Sequence, residues 1–313
     1  MPGSTRQTPS LPTRLANIEL RSPLILAAGT CGTVDEIAEH VDLSRIGALI
    51  TKSITPEPRE GNPAWRVAPV KAGMLNAVGL ANPGVDAFVR DWAPRLAGIP
   101  CPVFGSIAGF SVGDYTRVAR AFDAIDAMPA VELNVSCPNV DHEGERGGRE
   151  FGADPVLLAE LIGAVRAELS RTRLFVKLPP VAVPTPHSIV DLARAAVDAG
   201  ADGLSLCNTT PAMGFDVDTG EPLLGNTTGG LSGPAVHPIV TKLIHDCARD
   251  FAAAAGTPII GIGGVMDWRD AAEFMLAGAT AVQIGTATFV RPRQPLRILK
   301  GLERWERSQR RQP

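Results

Sequence analysis

Small polar side chains cluster where one apolar segment of the chain ends, in the run AVELNVSCPNV at residues 130–140. Asn134, Ser136, Cys137 and Asn139 fall within six positions there. Because ligands bind at the carboxyl ends of strands in parallel α/β folds, the pattern predicts that these groups stand at the mouth of a site. The amides offer paired donors and acceptors to a flat, imide-like ligand, and a thiol acts as base or nucleophile once its pKa falls below about 8.5. The alternative is an Asn-Ser-Pro turn around an inert, buried cysteine.

Other apolar segments also end in residues that can do chemistry, at Lys52-Ser53 and at Asn208-Thr209. Lys177 lies inside the apolar run LFVKL at residues 174–178. A lysine buried without compensation is costly, so the sequence predicts an anionic or electron-rich partner for Lys177. The alternative is an ion pair with an acid on a neighbouring strand, for which Glu132 is the main candidate.

Glycines mark the ends of the last two apolar segments, at Gly261-Ile262-Gly263-Gly264 and at Gly285-Thr286, and a third run, GGLSGP, spans residues 229–234. Backbone N–H groups without side chains in the way can converge on a phosphate, and in α/β barrels this pair of loops commonly does so. The alternative is that the glycines only permit tight turns. The predicted site would therefore bind a flat cofactor that carries a phosphate and lies beside lysines and amides. Flavin mononucleotide (FMN) has these features.

Eight short apolar runs alternate with segments of helical periodicity, which is typical of a (β/α)8 TIM barrel. Three connections, at about 54–83, 138–153 and 209–236, are long and follow a strand, so we expect long loops over the carboxyl end of the barrel. The predicted division is a loose tail at 1–12 and one FMN-binding barrel at 13–313. The eight predicted strands span residues 23–29, 47–53, 102–109, 131–136, 174–178, 203–208, 258–264 and 281–287.

Composition narrows the class of protein. The 313 residues carry a net charge of −3, with no basic surface expected for nucleic acid. The five cysteines are scattered without a CxxC pair, which argues against disulfides and against a zinc or iron–sulfur site in this chain. The first twelve residues have neither the apolar core of a signal peptide nor an anchor, so we expect a cytoplasmic protein without a membrane span.

Together these motifs make the chain resemble the dihydroorotate dehydrogenases from about Leu15 to Pro292, in particular the class 1B catalytic subunit. The shared motifs are KSITPEPREGNP (52–63), GMLNAVGLANPGVDAF (73–88), ELNVSCPNV (132–140), the run from 208 to 238, IIGIGGV and VQIGTATF. The chain departs from the family pattern at Ala28, where serine is usual, at Ser106, where asparagine is usual, at Cys31 and in KLPPVAV.

The resemblance implies oxidation of (S)-dihydroorotate to orotate in pyrimidine synthesis, with Cys137 as the base that removes the C5 proton. It implies a substrate site formed by Lys52, Asn76, Ala77, Val78, Gly79, Leu80, Asn134, Asn139, Asn208 and Thr209. It implies an FMN site formed by Ala28, Gly29, Lys52, Ser53, Ser106, Asn134, Lys177, Cys207, Gly233, Gly263, Gly264, Gly285 and Thr286.

The class 1B resemblance further implies a partner. Electrons would pass to an FAD and [2Fe–2S] subunit and then to NAD, with a homodimer of this chain as the core of a heterotetramer. Two alternatives remain open at this point. One is a stand-alone, class 1A-like enzyme that uses fumarate or another soluble acceptor, and the other is a flavin-binding regulatory barrel without dehydrogenase activity.

Overall fold

The computed structural model describes residues 11–135, 151–182 and 186–309. The strands within these ranges are β1 (Thr13–Leu15), β2 (Ile18–Leu20), β3 (Leu24–Leu26), β4 (Ala48–Ile50), β5 (Val67–Val70), β6 (Gly73–Asn76), β7 (Val103–Ile107), β8 (Ala130–Asn134), β9 (Arg173–Leu178), β10 (Gly203–Leu206), β11 (Thr210–Ala212), β12 (Gly229–Ser232), β13 (Ile259–Ile262) and β14 (Ala281–Ile284).

The α-helices within the same ranges are α1 (Val85–Asp91), α2 (Val112–Asp123), α3 (Pro155–Glu168), α4 (Ile189–Asp198), α5 (His237–Cys247), α6 (Ala253–Ala255), α7 (Trp268–Ala277), α8 (Ala287–Val290) and α9 (Gln294–Gln309). Short 3-10 helices span Glu36–Glu39, Leu43–Arg45, Ala93–Gly98 and Pro234–Val236, and a π-helical turn at Ala248–Ala252 joins α5 to α6. None of these helices has both the length and the apolar character that crossing a bilayer requires.

Eight parallel strands close into a barrel in the order β10-β13-β14-β3-β4-β7-β8-β9. Each of the eight apolar runs recognised in the sequence contributes one of these strands, so the predicted TIM barrel is confirmed. Local signals explain where several outer helices begin. Ser111, Ser188 and Asp267 each cap a helix in a capping box with an aspartate three residues later.

A β-hairpin of β1 and β2 closes the end of the barrel opposite the strands' carboxyl ends. Leu15 and Leu20 are buried against residues of the barrel interior, among them Phe104 and Phe175, whose rings stack at 5.8 Å. A larger apolar core lies between the barrel and its helices. The described barrel interior is therefore filled by side chains at this end, and its carboxyl end is left for a ligand.

Two of the long connections fold into a second sheet that the sequence pattern does not predict. Strands β5 and β6 come from the loop after β4, strands β11 and β12 from the loop after β10, and they pair antiparallel in the order β11-β12-β6-β5. This small sheet has its own apolar cluster, which includes Ala68, Leu75 and Leu224. The expected cover over the carboxyl end is thus a sheet rather than a set of irregular loops.

The helix expected after the first barrel strand is reduced to the 3-10 helix Glu36–Glu39. The side chain of Glu36 folds back and accepts hydrogen bonds from the backbone N–H groups of Thr33 and Val34. Satisfying these donors locally favours a tight turn over a longer helix.

Candidate active site at the carboxyl end of the barrel

A cavity lies between the carboxyl ends of the barrel strands and the small sheet, with about 1190 Å³ of empty space that includes open solvent. Residues from opposite sides of the barrel and from both long loops meet at its wall. Of the residues predicted from the sequence, those that line it are Ala28, Gly29, Lys52, Ser53, Asn76, Val78, Gly79, Leu80, Asn134, Lys177, Cys207, Asn208, Thr209, Gly263, Gly264, Gly285 and Thr286.

Five of the predicted site residues are not among the described residues that line this cavity. Cys137 and Asn139 lie outside the described residues, although Cys137 follows the wall residue Asn134 by three positions. Ala77 is fully buried beside the wall, and Ser106 is fully buried behind Ser53. Gly233 packs behind the glycine turn, since a Cβ on Gly264 would lie 2.6 Å from its carbonyl oxygen.

A chain of hydrogen bonds fixes the amides on one side of the cavity. Asn208 Nδ2 donates to Asn134 Oδ1 at 3.1 Å, and Asn134 Nδ2 donates to Ser53 Oγ at 3.3 Å. Ser53 Oγ in turn bonds to Ser106 Oγ at 2.8 Å, and the Thr209 N–H donates to Asn208 Oδ1 at 2.8 Å. Because each amide is held by its neighbours, its orientation is set before a ligand binds.

The wall segment 76–80 is held by a buried asparagine that the sequence reasoning did not single out. Asn82 Oδ1 accepts from the N–H groups of Thr55 and Gly84, and its Nδ2 donates to Thr55 Oγ1 and to the Leu80 carbonyl oxygen. Its amide therefore uses both donors and both acceptor positions. Leu80 has a φ of 57°, a left-handed conformation that this bond helps to hold.

The glycine turns after β13 and β14 form a cradle of backbone donors. Gly263 and Gly264 have φ of 147° and 67°, which favours glycine. Among the bonds that the described residues make, none is donated by the backbone N–H of Gly264, Gly285 or Thr286. Unpaired N–H groups on residues that line a cavity suit an anion, so this cradle fits the phosphate of FMN.

His237 supports the cradle from behind and was missed in the sequence. Its Nδ1 lies 3.2 Å from the Gly263 carbonyl oxygen and its Nε2 lies 3.0 Å from Glu273 Oε2. The ring stacks on Phe274 at 4.5 Å. The histidine thereby ties the glycine turn to α5 and α7.

The position of Lys177 is compatible with both of the roles that the sequence left as alternatives. It lines the cavity, and its Nζ lies 3.7 Å from Glu132 Oε1 in the fully buried barrel interior. On the other side, Lys52 also lines the cavity, and a Cβ on Gly29 would lie 3.3 Å from its Nζ. Two lysines therefore border the space where an anionic or electron-rich ring would lie.

Further wall residues were missed, and one of them had a usable signal. Gln283 is a polar residue inside the apolar strand AVQI, so the rule applied to Lys177 would have found it. The others are mostly apolar and carry no chemical pattern. They are Ala27, Thr30, Val67, Met74, Leu231, Ser232, Val236, Ile262, Val265 and Phe289.

The four described cysteines are free and buried. Burial raises the pKa of Cys31 to about 11 and the pKa values of Cys101, Cys207 and Cys247 to about 12. A thiol with such a pKa is almost fully protonated near neutral pH and makes a poor base. Cys207 lines the cavity, but its protonated thiol contributes to the wall and not to proton transfer.

Comparisons with known proteins show the family of the chain. Residues 10–305 match the family model described as dihydroorotate dehydrogenase. The chain is similar to three proteins named dihydroorotate dehydrogenase B (NAD(+)), catalytic subunit. The first is from Trichlorobacter lovleyi, with 42% identity over 297 residues, 95% of this chain and 93% of that protein.

The second, from Geobacter sulfurreducens, is 45% identical over 299 residues, which cover 96% of this chain and 94% of that protein. The third, from Bacteroides thetaiotaomicron, is 41% identical over 295 residues, with 94% and 93% covered. A crystal structure of DHODH in complex with ferulenol from Eimeria tenella superposes with a TM-score of 0.77 at 22% identity, covering 96% of this chain and 85% of that one. At that identity the likeness bears on the fold.

Proposed function

The chain belongs to the dihydroorotate dehydrogenase family, and from this premise we propose that it is an FMN-dependent enzyme that oxidises (S)-dihydroorotate to orotate in pyrimidine biosynthesis. The observation that carries the proposal is the single cavity wall that joins the cradle of unpaired backbone donors to the fixed amides and two lysines. One half suits a phosphate, and the other half suits a flat ring with imide edges.

In this proposal Gly263, Gly264, Gly285 and Thr286 hold the FMN phosphate, with Gly233 packed behind them. Lys52, Lys177, Ser53, Asn134, Ala28, Gly29 and Cys207 border the ring, and Ser106 supports it through Ser53. When bound, FMN supplies the acceptor for the hydride that leaves C6 of dihydroorotate. Lys52 and Lys177 stabilise the negative charge that accompanies hydride uptake.

The substrate is held by amides whose directions are already set. Asn76, Asn134 and Asn208 present donors and acceptors to the pyrimidine ring and its carboxylate, together with Asn139, Thr209 and Lys52. The backbone of Ala77, Val78, Gly79 and Leu80 closes one side, and Asn82 keeps that backbone in place. Holding the ring in one orientation presents its C5 proton to the base.

We assign the proton transfer to Cys137. The thiolate of Cys137 removes the C5 proton of dihydroorotate as the C6 hydride leaves, which yields the C5–C6 double bond of orotate. The four other thiols are kept protonated by burial, as their raised pKa values indicate. Cys137 lies three positions after Asn134, the last residue of the strand that supplies this amide to the cavity wall.

We further propose that the chain is the catalytic subunit of an NAD-linked enzyme in the cytoplasm. Its relatives at 41% to 45% identity are named as NAD(+) catalytic subunits, which supports a separate electron-transfer subunit. The class 1B resemblance implies that this subunit carries FAD and a [2Fe–2S] cluster. In this assembly two copies of the chain form the core. The free thiols of the described cysteines fit a reducing compartment.

The purified full chain tests the core of the proposal. Acid denaturation should release FMN at about one per chain, and anaerobic addition of dihydroorotate should bleach the flavin absorbance. With an artificial dye as acceptor, orotate should accumulate. A folded but colourless protein, release of FAD instead of FMN, or a flavin that dihydroorotate does not bleach would each refute the assignment.

A further inference from the structure

A buried carboxylate lies at the centre of the barrel directly beneath the cavity. Glu132 on β8 is fully buried, and its Oε2 accepts hydrogen bonds from Ser205 Oγ at 2.8 Å and from Gln283 Nε2 at 2.6 Å. Ser205 is on β10, two strands from β8, and Gln283 is on β14, four strands away in either direction around the barrel. Since donors from opposite walls meet on one oxygen, the carboxylate lies near the barrel axis.

The two oxygens of Glu132 have different surroundings. Oε2 receives both hydrogen bonds, whereas Oε1 is buried and has no hydrogen-bond partner among the described residues. The Lys177 ammonium lies beside Oε1, with its Nζ 3.7 Å away. A buried carboxylate is stable only if its charge is compensated, so the cation beside it is part of the same unit.

Lys177 is the member of this unit that reaches the cavity. Its register partner on β8 is Asn134, one of the fixed amides, and its register partner on β10 is Ser205. Gln283 also lines the cavity, and its amide direction is set because Glu132 can only accept from it. The network thus extends from the barrel axis to the wall beside the expected flavin ring.

We propose that Glu132 is a positioning residue that holds Lys177 in the cavity wall and offsets part of its positive charge, thereby setting the reduction potential of the bound FMN. The inference rests on the proposed function, because it requires FMN in the cavity. The flavin gains negative charge when it takes up a hydride, and a nearby cation favours the reduced form. The carboxylate behind that cation weakens this effect and keeps the potential lower.

The test measures the midpoint potential of FMN in the purified holoenzyme of Glu132→Gln. The amide keeps the size of the side chain and an acceptor for Ser205 and Gln283 while it removes the negative charge. We expect the preference for reduced over oxidised FMN to rise at least tenfold, a shift of about +30 mV for a two-electron couple. Sulfite, which adds to N5 of oxidised flavin as an anion, should likewise bind at least tenfold more tightly.

The matched control is Glu303→Gln, which removes another buried carboxylate paired with a cation. Glu303 Oε1 lies 3.4 Å from Arg45, and neither residue lines the cavity. Its potential and sulfite affinity should equal those of the wild type. A purely structural role of Glu132 would lower the melting temperature or the FMN content without raising the potential.

Glu132→Asp decides the question if Glu132→Gln does not fold. Its carboxylate is one methylene shorter and retracts from Lys177, so the potential should rise by a smaller step than for the charge-removing variant. A potential that stays unchanged or falls in a folded, FMN-loaded variant overturns the inference. A wild-type protein without FMN would instead refute the proposed function, and the inference would fall with it.

Discussion

The thiol of Cys137 is the one assigned to proton transfer, and the four other cysteines explain why. Burial raises the pKa of Cys207, which lines the cavity, to about 12, and the Cys101 pKa to about 12 in the outer core. We expect Cys137→Ala to lose about 10²- to 10⁴-fold in turnover, since a general base contributes that much. Steady-state assays with dihydroorotate and a dye, corrected for FMN content, measure the loss.

Cys101→Ala is the matched control, because it removes a thiol that does not line the cavity. It should keep the wild-type turnover and FMN content. Cys137→Ser should retain a trace of activity that increases at high pH. Near-normal turnover of Cys137→Ala would show that another residue is the general base.

At the scale of single residues, the sequence predicted which polar side chains gather at one place better than it predicted the side chains they bond to. Lys52, Lys177, Asn134 and Asn208 all line one cavity, because polar groups at the ends of apolar strands have few structural reasons to be there. The hydrogen bond between Glu132 and Gln283 could not be predicted from the sequence, since it crosses the barrel between residues 151 positions apart. Only the closed barrel brings these side chains together.

Among the elements, the glycine turn after β13 leaves too little space for a side chain at Gly264. A Cβ on Gly264 would lie 2.6 Å from the Gly233 carbonyl oxygen and 2.8 Å from His237 Cβ, at a φ of 67°. We expect Gly264→Ala to displace the turn and to lower the FMN content of the purified protein at least tenfold. Gel filtration followed by absorbance of the released flavin measures this content.

Gly163→Ala controls for the added methyl group. Gly163 is exposed within α3, and a Cβ at this position would meet no other atom within 4 Å. Alanine is favoured over glycine in a helix by about 0.5–1 kcal/mol, so the free energy of unfolding of this variant should be slightly higher than that of the wild type. Its FMN content should equal that of the wild type. Full FMN content in Gly264→Ala would show that the turn does not hold the phosphate.

The end of α2 is clamped to the segment that precedes β9. Asp123 accepts hydrogen bonds from the backbone N–H groups of Ser170 and Thr172 and from Ser170 Oγ. Burial opposes ionisation of this carboxyl, but the hydrogen bonds from Ser170 and Thr172 outweigh it and lower its pKa well below the usual value. The carboxylate therefore stabilises the folded state, and this contribution is present above the unfolded pKa of about 3.9.

We expect Asp123→Ala to lower the free energy of unfolding by about 1–2 kcal/mol at neutral pH. Because the folded pKa is depressed, the difference from the wild type should shrink as the pH falls below about 4 toward the folded pKa. Urea unfolding at a series of pH values measures it. Asp126→Ala, which removes a fully exposed carboxylate 3.7 Å from Arg171, should change stability little at any pH.

The elements themselves divide into those with a local signal and those without one. All eight barrel strands were predicted because each is a short apolar run between turn residues. The small sheet was not, because β6 and β12 pair over more than 150 positions of sequence and each is only four residues long. Its glycine-rich strand β12, GGLS, reads as a loop, and only pairing with β6 makes it a strand.

Across the whole molecule, the two ends of the barrel have separate tasks. The hairpin of β1 and β2 closes one end with Leu15 and Leu20, and the cavity occupies the other. We expect Leu15→Ala to lower the free energy of unfolding by about 2–5 kcal/mol because it leaves a cavity in the closed end. Its FMN content should equal that of the wild type, since Leu15 itself does not line the cavity.

Glu19→Ala serves as its control in the same hairpin. Glu19 is largely exposed and lies 3.5 Å from Arg14, so its loss should cost less than about 1 kcal/mol. Urea unfolding followed by fluorescence compares the two variants. A Leu15→Ala protein as stable as Glu19→Ala would mean that the hairpin does not seal the barrel.

Which molecule accepts the electrons depends on whether the chain is joined by a second subunit. Reduction of NAD by the proposed enzyme needs a route from the barrel cavity to a nicotinamide, and the relatives at 41% to 45% identity are named as one subunit of an NAD(+) enzyme. We expect the isolated chain to reduce a dye with dihydroorotate but to leave NAD unreduced. NAD reduction should appear when an FAD and [2Fe–2S] subunit from the same source is added.

Fumarate distinguishes this arrangement from a stand-alone enzyme. An isolated chain that reduces fumarate or NAD at the rate seen with the dye would need no second subunit, and the class 1B assignment would then be wrong. Gel filtration with light scattering then measures the molar mass of the isolated chain and of the chain mixed with the second subunit. The isolated chain should elute as a dimer, and addition of the partner should convert it to a complex with two copies of each subunit, because each FMN needs its own exit for electrons.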